Sequence, residues 1–77
     1  MNKIKINLND KEKIQNFIQA AITFKSDIDI ISGSQVYDAK SVLGVFNLDF
    51  SKDTYVQMIS YDEQEISKFK EVMEEFR

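Results

Sequence analysis

The sequence predicts an α+β domain, an open-faced sandwich in which one four-stranded antiparallel sheet carries three helices on one face, in the order β-α-β-β-α-β-α. Three observations predict it. Short stretches at residues 2–8, 27–39 and 54–60 alternate apolar and polar with the period of two that half-buried strands show. Residues 14–22 and 66–76 instead repeat their apolar positions every three to four residues, the period of a helix with one buried face. Gly33-Ser34 then sits between two strand-like runs at the spacing of a hairpin turn.

In the first strand, Ile4, Ile6 and Leu8 alternate with Lys3, Lys5 and Asn7. Asn9 and Glu12 have the spacing of an N-cap residue and its reciprocal partner. Ile14, Phe17, Ile18, Ala21 and Ile22 continue from them as the apolar stripe of a helix reaching Thr23. The hairpin runs from Asp27 to Ser32, with Ile28 and Ile30 inward, and returns from Gln35 to Ala39. Ser41 is a good N-cap for a short helix through Leu48, in which Gly44 costs about 1 kcal/mol relative to alanine. After a loop, Thr54 to Ser60 makes a strand with Val56 and Met58 on one face and Tyr55, Gln57 and Ile59 on the other. Asp62 and Glu65 repeat the capping-box spacing, Tyr61 and Ile66 stand at the two ends of a hydrophobic staple, and Ile66, Phe69, Val72, Met73 and Phe76 complete the last stripe. Phe17, Ile18, Ile30, Val56, Ile66 and Phe69 are the expected core.

Residues 1–77 read as a single domain without linker or repeat, and a domain of this size buries only about 60% of the surface its unfolded chain exposes. The chain has no cysteine, so neither a disulfide nor a thiolate metal site assists the core. No metal and no cofactor are expected. A net charge of −3 argues against a nucleic-acid footprint, which needs a clustered basic face. No apolar run approaches the roughly 18 residues of a membrane span, and Met1-Asn2-Lys3-Ile4-Lys5 does not open a signal-peptide core. The expectation is a cytoplasmic monomer with no membrane association.

Two segments carry a family resemblance. Phe24, Ser26, Asp27 and Ile28 fit a Phe-x-Ser-Asp-Ile pattern leading into the second strand, and Lys40 to Leu48 fit a Lys-Ser-Ile-Met-Gly-Val-Met-Ser-Leu block; Gln19 and Ala21 fall in register on the first helix. The stretch 24–56 lies on this pattern without a gap and resembles the HPr phosphocarriers of the bacterial sugar phosphotransferase system. Periodicity alone also fits a ferredoxin-like or ACT-type β-α-β-β-α-β domain; the short middle helix and the added terminal helix favour HPr. What the resemblance implies is an HPr-like open-faced sandwich.

It departs from the family where the chemistry lies. HPr proteins carry a Gly-x-His-Ala-Arg-Pro-like element leading into the first helix, and the corresponding stretch here is Asn7-Leu8-Asn9-Asp10-Lys11-Glu12-Lys13. Superposing the first strand on its isoleucines makes this loop about three residues shorter. The chain contains no histidine at all. A phosphorylated imidazole is a high-energy donor, and Asp, Lys or Asn does not simply replace it. Asp10, nearest the family's histidine, has two readings: an acceptor forming an aspartyl phosphate, or a helix N-terminal carboxylate favoured by the dipole.

Ser41 corresponds to the serine that a dedicated kinase phosphorylates in HPr proteins of low-GC Gram-positive bacteria. A phosphate there would meet free N–H groups at a helix start, so modification need not unfold the domain. The other reading makes Ser41 only a cap. Val42, Leu43 and Phe46 correspond to the exposed apolar patch with which HPr proteins touch enzyme I, sugar transporters and the catabolite repressor; alternatively all three are core in a domain short of buried surface. Glu63, Glu65, Glu71, Glu74 and Glu75 with Lys68 and Lys70 read as the solvated face of the last helix. Without histidine or cysteine, Ser32, Ser34 and Tyr37 have no partner to activate a nucleophile, so no catalytic residue and no enzyme activity are expected.

The functional expectation is an HPr-like protein without histidine phosphocarrier activity, similar to the catabolite-repression paralogue that lacks the histidine and keeps the serine. It would serve as a regulatory or protein-binding module whose partner, a phosphotransferase or catabolite-regulation protein, docks on the 41–48 helix. The alternatives are a dimeric small-molecule-sensing domain of ACT or ferredoxin-like type and a relic without current function.

Overall fold

A computed structural model of the protein describes residues 3–41, 44–45, 48–49 and 51–77. Four strands, β1 (Lys3–Ile6), β2 (Asp27–Ser32), β3 (Gln35–Asp38) and β4 (Thr54–Ile59), form one antiparallel sheet in the order β1-β4-β2-β3. Two α-helices, α1 (Lys11–Ala21) and α2 (Glu63–Met73), precede a terminal 3-10 turn at Glu74–Phe76. The α+β class and the antiparallel sheet are as expected. Of the three expected helices, two are seen among the described residues. The middle one, at 41–48, falls partly outside them: Gly44 and Val45 are helical, and Val42, Leu43 and Phe46 are not described.

β4 occupies the centre because both its edges find partners: Ile4 pairs with Val56 on one side, and Ile30 pairs with Val56 on the other. Residues that pair across strands share a face, so Ile4, Val56, Ile30 and Tyr37 point the same way. That face receives the helices. Ile28, Ile30, Val56 and Met58 pack with Phe17 and Ile18 of α1 and with Phe69 and Met73 of α2 in one continuous core. Phe76 joins it from the terminal turn, its ring meeting that of Phe17 edge to face at 5.6 Å. Of the expected core residues, Phe17, Ile18, Ile30, Val56 and Phe69 are buried, while Ile66 is only half-buried at the rim.

The hairpin turn needs its glycine. Ser32 pairs with Gln35, leaving Gly33-Ser34 as the two-residue loop, and Gly33 has φ +60, the one positive value among the described residues. A left-handed first residue followed by an ordinary second one is the pattern of a type II′ turn, which matches the twist of the flanking strands.

Several sequence expectations are corrected at the element ends. The first strand stops at Ile6 rather than residue 8, because the Asn7 N–H leaves the ladder and donates to Phe76 O at 2.6 Å. The cap of α1 is Asp10, not Asn9: Asp10 Oδ1 accepts from the Lys13 N–H at 2.8 Å. The helix ends at Ala21, before Thr23, and the Thr23 and Phe24 N–H groups turn back to the Ala20 and Ala21 carbonyls. Ile22 therefore lies past the buried stripe and is exposed. No staple closes the start of α2, since Tyr61 stands fully in solvent.

Candidate functional site

The connection from β1 to α1 is short and anchored at both ends. Asn7 is tied to Phe76, Leu8 is sunk in the core at 2% exposure, and Asp10 closes the helix end. Asp10 is exposed, and its carboxylate is engaged as the cap, as its helix-terminal reading expects. Beside this connection lies an open groove of about 280 Å³, with Lys5, Lys52 and Ser51 among its walls. Lys5 already meets Asp53 there, at 3.4 Å. Among the described residues no group of three acidic side chains is placed to hold a metal ion.

Ser41 is exposed at the foot of the helical residues Gly44 and Val45. Its carbonyl accepts from the Val45 N–H at 3.0 Å and its Oγ from the Gly44 N–H at 3.4 Å, while its own N–H donates to Asp38 O. Val45 and Leu48 are buried below it. A Cβ at position 44 would come within 3.3 Å of Ser41 Oγ, tighter than ordinary contact, so glycine leaves the hydroxyl its space. The remaining expected partner residues, Val42, Leu43 and Phe46, lie outside the described residues.

The segment that carries the sequence resemblance is largely occupied with building the fold. Phe24 is buried, its ring meets that of Phe69 edge to face at 6.0 Å, and the Lys68 ammonium lies over it at 5.0 Å. Lys40 Nζ donates to Phe24 O at 2.8 Å. From the other side, Glu65 Oε1 accepts from the Lys25 N–H at 2.9 Å, the Ser26 N–H at 3.0 Å and Ser26 Oγ at 3.1 Å. The turn from α1 into β2 is thus held by a cation on its carbonyl and a carboxylate on its amides.

Glu65 is therefore not part of a purely solvated helix face, and the capping box at α2 is half made. Asp62 accepts from the Gln64 and Glu65 N–H groups, but its own N–H is met by Ser60 Oγ, leaving the Glu65 side chain for the neighbouring turn. The spacing of Asp62 and Glu65 located the helix start; nothing local to it pointed 39 residues back to Ser26.

The Ser26 backbone N–H, followed by the Lys25 N–H, the Ser26 hydroxyl and the Lys68 charge, holds the Glu65 carboxyl below its ordinary value of 4.5 against the opposing effect of burial, which is second only to the Ser26 N–H. Because the unfolded chain takes up the proton first, this contribution is present above about pH 4.5 and is lost as pH falls through the lower folded value. Glu65→Gln should lower the melting midpoint at neutral pH, and the gap to the parent protein should narrow on acidification. Thermal melts of both proteins across that range check it; a gap independent of pH would show that charge is not what the turn requires.

Comparison with known proteins identifies the scaffold. The family profile described as PTS HPr component phosphorylation site matches residues 12–76, most of the chain. The protein belongs to the HPr family. Among solved structures, the phosphocarrier protein HPr from Bacillus anthracis str. Ames superposes with a TM-score of 0.72 at 16% identity, over 97% of this chain and 93% of that one. HPr-C-His from Thermoanaerobacter tengcongensis superposes with a TM-score of 0.71 at 23% identity, over 94% and 88%. At these identities the likeness is one of fold. No curated protein matches the chain significantly.

The HPr assignment decides against the ACT-type alternative and relates the protein to the sugar phosphotransferase system, whose HPr members are phosphocarriers rather than enzymes and work through protein partners. The family match begins at Glu12, near the end of the Asn7–Lys13 stretch where the resemblance places the missing element. Among the described residues no helix is long and apolar enough to cross a membrane.

Proposed function

We propose that this HPr-family protein acts without histidine phosphocarrier activity, as a regulatory or protein-binding module of the phosphotransferase system that is phosphorylated on Ser41. The observation that carries the reading is an HPr-like fold, with its four-stranded sheet and two α-helices, built by a chain that has no histidine. Such a scaffold retains surfaces for recognition while lacking the imidazole that passes a phosphoryl group on. Ser41 supports the second half of the reading: it is exposed, and its hydroxyl is engaged only by the long contact from the Gly44 N–H among the bonds described. Val42, Leu43 and Phe46 are the proposed partner contacts, and a phosphoserine at position 41 adds close to two negative charges near them in sequence.

The test is phosphorylation by a serine kinase specific for HPr proteins, with ATP, followed by titration of a matched phosphotransferase or catabolite-regulation partner. One phosphate per chain is expected on Ser41, none on Ser41→Ala, and a change in partner affinity of tenfold or more on modification, about 1.4 kcal/mol. Phe46→Ser should weaken the same complex. A chain left unmodified by a kinase that modifies a control HPr would remove the regulatory part of the reading.

A further inference from the structure

The sheet face turned away from the helices has a charge pattern that is complementary to itself. The cross-strand register sets its outward residues in two full rows over β1, β4, β2 and β3, with Lys3, Gln57, Asp29 and Asp38 in the first and Lys5, Tyr55, Ile31 and Val36 in the second, and in a partial third row of Ile59 and Asp27 over β4 and β2. Cations occupy one edge and carboxylates the other, with a half-buried aromatic and two aliphatic side chains along the second row. Val36 at 62% and Ile59 at 56% are among the most exposed large apolar side chains described, and both lie on this face.

We propose that two copies of this chain stack through these open faces as a weak two-fold dimer, with Lys3 of each copy opposite Asp38 of the other. A two-fold axis running parallel to the strands between β4 and β2 carries β1 onto β3 and β4 onto β2 while keeping each row over itself. Lys3 then faces Asp38, Gln57 faces Asp29, Tyr55 faces Ile31, and the Lys5 stem covers Val36, each pair formed twice as an isologous interface requires. The axis perpendicular to the strands fails this condition, because it sets Lys3 over Lys5. Stacked sheets with strand directions aligned to within about 30° are an ordinary packing mode, and a lysine side chain spans that rotation.

Burial first, and the neighbouring Asp38 and Asp27 carboxylates after it, raise the Asp29 pKa; a lysine brought opposite Asp38 offsets the carboxylate repulsion at this edge, though not the effect of burial. The face measures roughly 20 by 20 Å from strand spacing and rise, about half the area that one partner buries in a standard interface, so association is concentration-dependent rather than permanent. This inference is independent of any phosphotransferase role.

Sedimentation equilibrium on the full chain across a concentration series tests it. The average mass should rise from 9.0 kDa toward twice that value at high micromolar concentration and fall back as salt is added. Lys3→Asp, whose described contact is only with the Tyr55 ring, should shift the dissociation constant at least tenfold weaker while the circular dichroism spectrum stays native. The double variant Lys3→Asp/Asp38→Lys should regain the dimer. Because Asp38 also accepts from the Lys40 N–H, Ile31→Lys provides a second disrupting change that leaves that bond alone. A monomer at every concentration, as the sequence reading expected, or a Lys3→Asp protein that associates like the parent, overturns the proposal.

Discussion

Phe69→Ala is expected to cost about 3 to 5 kcal/mol, the range for removing a buried aromatic ring. Phe69 is fully buried at the middle of α2 and holds the Phe24 ring edge to face at 6.0 Å. Deleting its ring leaves a cavity between the helix and the sheet and removes the support of the α1–β2 turn at once. A chain of 77 residues has a total stability of roughly 4 to 12 kcal/mol at the usual value per residue. The variant should therefore be largely unfolded at physiological temperature. Urea denaturation followed by circular dichroism checks this, with Phe69→Leu as the control that retains most of the volume and should stay folded. An unchanged denaturation midpoint for Phe69→Ala would mean that α2 does not cover the sheet.

That this residue stood out in the sequence reflects how periodicity encodes burial. Ile28 and Ile30, Val56 and Met58, Phe17 and Ile18, Phe69 and Met73 all lie on the faces their spacing assigned, because hydrophobic burial acts on every second residue of a strand and every third or fourth of a helix. Element ends were less legible for a physical reason: they are set by which polar group reaches a free N–H. Asn9 and Asp10 are both good caps on composition, and only the geometry of the Lys13 N–H selects Asp10. Tyr61 had the position of a staple residue, but a staple also needs the chain to approach from the correct side.

The candidate site divides along the same line. Phe24, Ser26 and Lys40 were conspicuous as parts of a family-like pattern, and the structure gives these three a shared structural task. Phe24 fills the core, while Lys40 and Glu65 secure the backbone around it. Long-range partners of this kind leave no local signal, since the Glu65–Ser26 contact joins residues 39 apart. Ser41 kept its expected capping contact, and its exposure is what the proposed modification requires.

Incubation with phosphoenolpyruvate and a matched enzyme I is expected to leave the protein without acid-labile phosphate, where a histidine-bearing HPr acquires one group per chain. The chain has no imidazole to form a phosphoramidate. The side chain nearest the family's site, Asp10, already accepts the Lys13 N–H at 2.8 Å. Losing such a cap costs about 1 kcal/mol, so phosphorylating this carboxylate would disturb the start of α1 as well as requiring enzyme I to accept an oxygen nucleophile in place of nitrogen. The short Asn7–Asp10 connection also has little slack, with Asn7 bonded to Phe76 and Leu8 held in the core. Intact-mass measurement at neutral pH and again after mild acid treatment detects any transfer. Asp10→Asn separates the remaining possibility, because it abolishes an aspartyl phosphate while retaining a capping oxygen: stoichiometric phosphate on the parent protein, lost in Asp10→Asn, would make this chain a carboxylate phosphocarrier.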